Sequence, residues 1–416
     1  MRYGLVKSAD EIPRSDLVGF DIETSPLQEY LRQGWTPPPD PRLTKIVMAQ
    51  VCVGTNVYIL TKNFESLKPL LEDKRVKKVI HESKFEYKHL YYHHGIRIRN
   101  IVDTLLLEGI LENGHRPDLG LKPVAKKYTG IELSKVVRDK FVRGEVVDHA
   151  MMFYGAKDAW VLPKIYAAMD AIPKYEGFER VVTLETALIP AFVDIELRGF
   201  RLSRKLWQPL AEEIEQQYER ARRKLLRALP TKIKQLTMFG DVLSSVNLNS
   251  KIVMQKIFSD NGLVLPDLKK TTVAEYLEKT PYPLLALYSQ YTKLQKAKST
   301  YGFGFLDNIN PVTGRVHQNI QAVNARTGRL AGRDPNLMNV PKDNRTRGCF
   351  CAGRGKLLVG GDFSQQELGV LAQFSEDRNL ILGFESGLDL HLYTARLMFK
   401  DRSIEKDDKR RGAAKN

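Results

Sequence analysis

Residues 16 to 23, DLVGFDIE, alternate and then run apolar, which is the pattern of a strand with a buried face. The pattern returns between Lys45 and Leu60, where IVMAQVCVG and VYIL predict two further strands. KKVIHESKFEYKHLYYHHG (Lys77 to Gly95) predicts a short strand running into an amphipathic helix that Gly95 ends. Asp103 and Thr104 open an apolar helix, DTLLLEGIL, and either side chain suits its cap. YGAKDAWVLPKIY, from Tyr154 on, reads as another helix, and GWTPPPDP (Gly34 to Pro41) as a proline-rich loop. Ile172-Pro173 begins a boundary, after which LETALIPAFVDIELRGFRLS (Leu184 to Ser203) predicts a helix ending near Gly199. VNLNSKIVMQKIFSDNGLVLP predicts a helix preceded by a capping Asn or Ser. Near the far end, KLLVGGDFSQQELGVLAQFSED (Lys356 to Asp377) predicts a buried strand at Leu357, Leu358 and Val359, with Asp362 at its end and a helix at once behind it. GRGK (Gly353 to Lys356) is the turn leading in.

Composition narrows the class. A chain of 416 residues has room for two or three domains, and 43% hydrophobic with 27% charged residues is a globular balance. No apolar run has bilayer length, and MRYGLVKSADEIP lacks a signal-peptide core, so a cytoplasmic protein without a membrane partner is expected. The three cysteines, Cys52, Cys349 and Cys351, suit neither a disulfide framework nor a zinc site and read as free thiols. A net charge of +16 favours polyanionic partners. The positive residues cluster in YERARRKLLRALPTKIK (Tyr218 to Lys234) and KLQKAK (Lys293 to Lys298), at spacings that lay a helix along a phosphate backbone or leave a solvated face.

Candidate chemistry lies at the strand carrying Asp21 and Glu23. Two apart, these carboxylates leave the same face, and their repulsion calls for a cation between them. Tyr154 and Asp158 share a helix face four residues apart. His81, His89, His93 and His94 lack a further ligand motif and read as ordinary helix residues.

Taken in order, Asp21-x-Glu23, Lys84-Phe85 followed by Glu86, Asp103-Thr104 and Tyr154-x-x-x-Asp158-Ala159 resemble the proofreading 3′-5′ exonuclease family. The resemblance covers residues 1–175 and implies an α/β domain with an RNase H-like fold and a mixed sheet. It implies two Mg²⁺ ions, with Mn²⁺ as the alternative, held by Asp21, Glu23 and Asp158. Glu86 and Tyr154 then complete the catalytic group, and Thr24 contacts the 3′ end of single-stranded DNA. One departure stands out: the family places an Asn four residues before an Asp, whereas this chain has Glu82 and Glu86. An exonuclease that is slow or altered in specificity is the expectation, tested by comparing the wild type with a Glu82→Asn, Glu86→Asp double variant.

KLQKAKSTY, NPVTGRVHQNIQAVNARTGRLAGRDPNLMNVP, the Lys356 stretch and GLDLHLYTA in turn resemble the polymerase core of family A DNA polymerases, the bacterial DNA polymerase I and phage type. This implies an α-rich α+β domain: a helical start and thumb at 176–300, then partial palm and fingers at 301–416. Residue by residue, the resemblance makes Asp362 a ligand of the catalytic magnesium and Glu367 the residue that excludes the ribose 2′-hydroxyl. Arg329 reads the minor-groove side of the primer terminus, and Asn336 and Gln365 contact template or primer. His391 sits near the incoming dNTP, whose triphosphate Arg411 and Lys415 grip. Phe363, Gln366, Gly369 and Met338 depart from the family's usual residues, and none of the eight histidines is followed by the Asp of the family's second metal-binding motif. The resemblance therefore implies the N-terminal part of a DNA polymerase, with primer-template as partner and a C-terminal polymerase fragment needed for nucleotide addition. The rivals are a stand-alone exonuclease with a DNA-binding tail and a catalytically silent DNA-binding subunit.

Overall fold

Six strands, β1 (Arg2–Leu5), β2 (Leu17–Pro26), β3 (Thr44–Val53), β4 (Asn56–Leu60), β5 (Lys77–Ile80) and β6 (Ile101–Asp103), form one sheet in the order β1-β4-β3-β2-β5-β6. The sheet is mixed, as expected: β2 runs antiparallel to β3 and parallel to β5. The computed structural model describes residues 1–31, 40–115, 118–134, 136–174, 176–229 and 246–414.

Alternation along β2 sorts its side chains between two layers. Val18, Phe20 and Ile22 are buried in a core with Ala49 and Val51 of β3, beneath α1 (Lys84–His94) and α2 (Thr104–Leu111). Gly19, Asp21 and Glu23 take the other face, against which α3 (His149–Asp170) packs. Contact there is close for a specific reason. A Cβ at Gly19 would lie 2.4 Å from the Ala159 carbonyl oxygen, and one at Gly155 of α3 would lie 2.5 Å from the Gln50 side-chain amide. The predicted caps are present, since Asp103 accepts from Leu105 N and Leu106 N, and Gly95 ends α1 with φ at 64°.

The helix predicted from Leu184 is longer, α4 (Phe178–Arg198), and Ile189 and Val193 on it join the sheet core. Ser203 then caps the basic helix α5 (Arg204–Ala228), which packs along the helix Pro283–Tyr301. A second core of Leu225, Phe258, Leu285, Tyr288 and Tyr291 lies between these helices and Lys251–Asp260, whose cap is Ser250. Two short antiparallel pairs follow, β7 (Phe200–Arg201) with β8 (Arg315–Val316) and β9 (Asn319–Gln321) with β10 (Ala331–Arg333).

Contacts divide the chain after Cys351. The unit Ala352–Asn416 contains the helices Gln366–Ser375, Arg378–Glu385, Leu390–Met398 and Lys409–Ala413. It corrects one expectation: Leu357, Leu358 and Val359 are neither a strand nor buried, with exposures of 89%, 58% and 94%. An apolar run becomes a strand only where neighbouring strands take up its backbone hydrogen bonds, and among the described residues this unit has no strand. The turn at Gly353 is present, closed by Lys356 N donating to the Gly353 carbonyl at 3.0 Å.

Candidate functional site

Asp21, Glu23, Thr24, Glu86, Tyr154 and Asp158 line one cavity of about 520 Å³. β2 supplies the first three, and a bulge between Glu23 and Thr24 shifts its register with β3, re-aiming the strand where it meets the cavity. Asp158 is buried on α3 with Tyr154 one turn before it, and Glu86 is buried in the first turn of α1.

The electrostatics of this group are one-signed. Asp21 is raised well above the ordinary carboxylate range by burial, then by Asp158. Glu23 is raised by burial and by Asp21 and Asp158, against which Arg138 works. Glu86 is raised by burial and by Asp21, and its Oε2 is buried without a hydrogen-bond partner. The Tyr154 phenol is raised by burial and by Asp158, Glu23 and Asp21, so it stays protonated and donates to Asp158. Among the described residues no three His, Cys, Asp or Glu side chains are already placed to hold a metal ion. In donor type and charge the four carboxylates nevertheless fit a hard divalent cation, and the orphaned Glu86 oxygen marks one point where such charge would be received.

Residues not anticipated from the sequence surround this group. Gln50, buried on β3 opposite Asp21, donates to Asp21 O at 2.6 Å and Oδ2 at 3.2 Å once its amide nitrogen faces the strand. Asp103 holds the entry to α1: it accepts from Ser83 N at 2.8 Å, Ser83 Oγ at 2.7 Å and Glu82 N at 3.2 Å as well as capping α2. Glu82 therefore sits on a tethered turn with φ at 66°, a left-handed conformation that Asn tolerates better than Glu. Burial raises Glu82; Lys84 opposes this, Asp103 adds to it and Arg333 opposes it.

Behind this turn, Glu196 on α4 is buried and accepts from Lys84 Nζ at 2.5 Å, Lys88 Nζ at 2.9 Å and Ile320 N at 2.7 Å. Burial alone would push Glu196 up, but Lys88 and Lys84 outweigh it and hold the carboxyl below its ordinary value. Lys84 also donates to Asn319 Oδ1 at 2.6 Å and to the Ile320 carbonyl. Local sequence carries no signal for these contacts; only the pairing of β2 with β3 and the return of residues 319–333 create them.

Both nitrogens of His89 are engaged, Nε2 with Thr44 Oγ1 at 3.1 Å and Nδ1 with the Phe85 carbonyl at 2.9 Å. Burial pushes this histidine down to about 3.

The residues expected for nucleotide addition are less assembled. Asp362 is exposed, as is Glu367 in the first turn of its helix. Gln365 is used structurally, its Oε1 accepting from Leu390 N at 2.9 Å and its Nε2 donating to the Leu388 carbonyl at 3.2 Å. His391 is half-buried, next to the capping Asp389, and Arg411 donates to Asp389 Oδ2 at 2.7 Å rather than standing free. Arg329 is exposed, Asn336 caps the turn Leu337–Asn339, and Lys415 lies outside the described residues.

Known proteins match both halves of the chain. The family model described as 3′-5′ exonuclease matches residues 5–172, and that described as DNA polymerase family A matches residues 212–416. DNA polymerase I of Caldicellulosiruptor bescii is 30% identical over 360 residues, covering 83% of this chain and 38% of the relative. That of Geobacillus stearothermophilus is 30% identical over 347 residues, covering 79% and 38%. The thermostable DNA polymerase I of Thermus aquaticus is 35% identical over 243 residues, covering 54% and 28%. The chain thus spans well under half the length of these relatives. A solved structure, the POL domain of Pol1 from M. smegmatis in complex with DNA primer-template and dNTP, has the same fold with a TM-score of 0.67, at 21% identity over 95% of this chain and 66% of that one. No described helix is long and apolar enough to cross a membrane.

Proposed function

The chain belongs to the family A DNA polymerases and carries their 3′-5′ exonuclease domain, and from this premise we propose that it removes nucleotides from the 3′ end of single-stranded DNA at the Asp21, Glu23, Glu86 and Asp158 cavity. The observation that carries the reading is the convergence of four mutually repelling carboxylates and a protonated phenol in one cavity. Magnesium held by Asp21, Glu23 and Asp158 supplies, when bound, the positive charge that offsets these carboxylates and the developing charge on the scissile phosphate. The chain's own groups do the positioning. Gln50 orients Asp21, Tyr154 orients Asp158 and is set to hold a water over the phosphate, and Thr24 meets the strand end. Glu86, one methylene longer than the family's Asp, still reaches the cavity, while Glu82 places a carboxyl where a neutral amide is usual. A slow or altered exonuclease follows from that pair.

Residues 176–300 and 301–416 are proposed as the helical start with thumb and as part of the palm and fingers, binding primer-template and dNTP. In-line attack by a 3′-hydroxyl needs paired carboxylates. We assign Asp362 as one, with its partner contributed by polypeptide beyond these residues, in the same chain or another. Work in the cytoplasm of a bacterial or phage-infected cell fits the three free cysteines. A stand-alone nuclease is not favoured, because the polymerase match extends over residues 212–416.

The test is magnesium-dependent shortening of a 5′-labelled single strand. Asp21→Ala should lower it about a thousandfold, the scale of losing a group that acts on transition-state charge. Shortening that survives Asp21→Ala, or that does not need a divalent cation, would overturn the exonuclease assignment. Template-dependent extension by the purified chain alone would overturn the need for a second carboxylate.

A further inference from the structure

Asn319 and Arg333 are a cross-strand pair on β9 and β10, in the half of the chain that matches the polymerase family, yet both line the exonuclease cavity. Directly opposed residues share a face of a two-stranded sheet, so the two side chains are delivered together. The hairpin that carries them is fastened to the cavity rim: Ile320 N donates to buried Glu196, and Lys84 donates to Asn319 Oδ1 and the Ile320 carbonyl. At the other end a Cβ on Gly109 would lie 2.5 Å from the Val323 side chain, so α2 and the hairpin are in close contact.

A second cavity of about 370 Å³ adjoins the first and shares Glu82, Lys84, Leu105, Gly120 and Arg333 with it. Its remaining wall has an apolar side of Leu106, Leu119, Ile189, Phe192 and Val323 and a polar side that includes Asp103, Asp118 and Glu185. Arg333 therefore stands on the wall between the metal-site carboxylates and a cavity with one apolar side. Its present partners are Asp334 Oδ2 at 3.5 Å and, once the Gln321 amide is turned to face it, the Gln321 oxygen at 3.0 to 3.2 Å, and its side chain is 51% exposed.

Resting on the exonuclease reading above, we propose that Arg333, with Asn319 beside it, grips a backbone phosphate of the single strand upstream of the scissile bond, while the apolar side of the adjoining cavity takes an upstream base. A phosphate between the two cavities matches a guanidinium fork, and a base face matches an aliphatic and aromatic wall. The positive charge also faces Glu82, offsetting the carboxyl that stands where the family has an amide. One half of the molecule thereby supplies strand affinity to the chemistry of the other.

The experiment is steady-state cleavage of 5′-labelled oligonucleotides of two and of five nucleotides by the whole chain with magnesium, for wild type, Arg333→Ala and Arg333→Lys. Arg333→Ala should raise KM for the longer strand about tenfold with little change in kcat, should affect the dinucleotide less than twofold, and should flatten the dependence of log(kcat/KM) on log[salt] by about 0.7. Arg333→Lys should recover most of the loss. An unaltered KM and salt slope in Arg333→Ala, or an equal loss on both lengths, overturns the proposal. If the wild type shortens neither strand, the exonuclease reading fails first. An unchanged unfolding midpoint for Arg333→Ala shows that the fold survives.

Discussion

The carboxylates Asp21 and Asp362 both come from recognisable motifs, but their surroundings differ. Asp21 stands opposite a buried glutamine, beside a helix brought close by two glycines, with Asp158 and Glu86 buried nearby. Asp362 is exposed in a stretch where Leu357, Val359 and Phe363 are also exposed, and Gln365 and Arg411 of the same unit bind the 388–390 turn and its cap. A motif specifies which atoms are available; a shell of packed and hydrogen-bonded neighbours gives those atoms a pKa and a direction. Among the described residues, only the first region has that shell within its own unit.

The contrast can be broken at several points, beginning where the effect is largest. Glu196→Ala leaves Lys84 and Lys88 without their buried partner and should destabilise the first unit by about 3–5 kcal/mol. Urea unfolding followed by tryptophan fluorescence isolates this unit, because the three tryptophans, Trp35, Trp160 and Trp207, all precede Cys351. Next, Gly19→Ala drives a methyl group into the Ala159 carbonyl and should cost about 2–3 kcal/mol by the same measurement. A loss within 0.5 kcal/mol, the scale of roughly neutral surface changes, would mean that α3 does not hold its distance from β2.

The third point is pH. His89 is neutral in the fold with its value pushed down to about 3, against 6.5 when unfolded. Between those values the unfolded chain binds the extra proton, so stability present above 6.5 is lost as pH falls through the window, about 2 kcal/mol between pH 7 and 5. His89→Gln should flatten that part of the fluorescence-detected pH profile; an unchanged slope places the acid sensitivity elsewhere. The smallest effect belongs to the second unit. Phe374, 85% exposed, should be replaceable by Ser with a change within about 0.5 kcal/mol in far-ultraviolet circular dichroism melts. A larger loss would reveal packing on that ring.

Much of the first region is legible because its chemistry follows local periods. Asp21 and Glu23 share a face by the two-residue repeat of a strand, and Tyr154 and Asp158 by one helical turn. Gln50 is not legible in this way, since its meeting with Asp21 depends on a register set by the whole sheet order. Arg333 and Glu196 are further removed, more than a hundred residues from the groups they serve. Leu357 to Val359 show the opposite error: the local period is that of a strand, but pairing is a property of neighbours.

The Glu196 hub bears on how such chains can be recombined. The family matches break between residues 172 and 212, inviting a view of the exonuclease as a cassette, yet α4 and the 319–333 hairpin are fastened into it through one carboxylate. A graft made at the linear junction would strand two half-buried lysines. A transplant that carries α4, Asn319 and Ile320 along with residues 1–172 keeps the circuit closed, so the inheritable module is discontinuous in the gene.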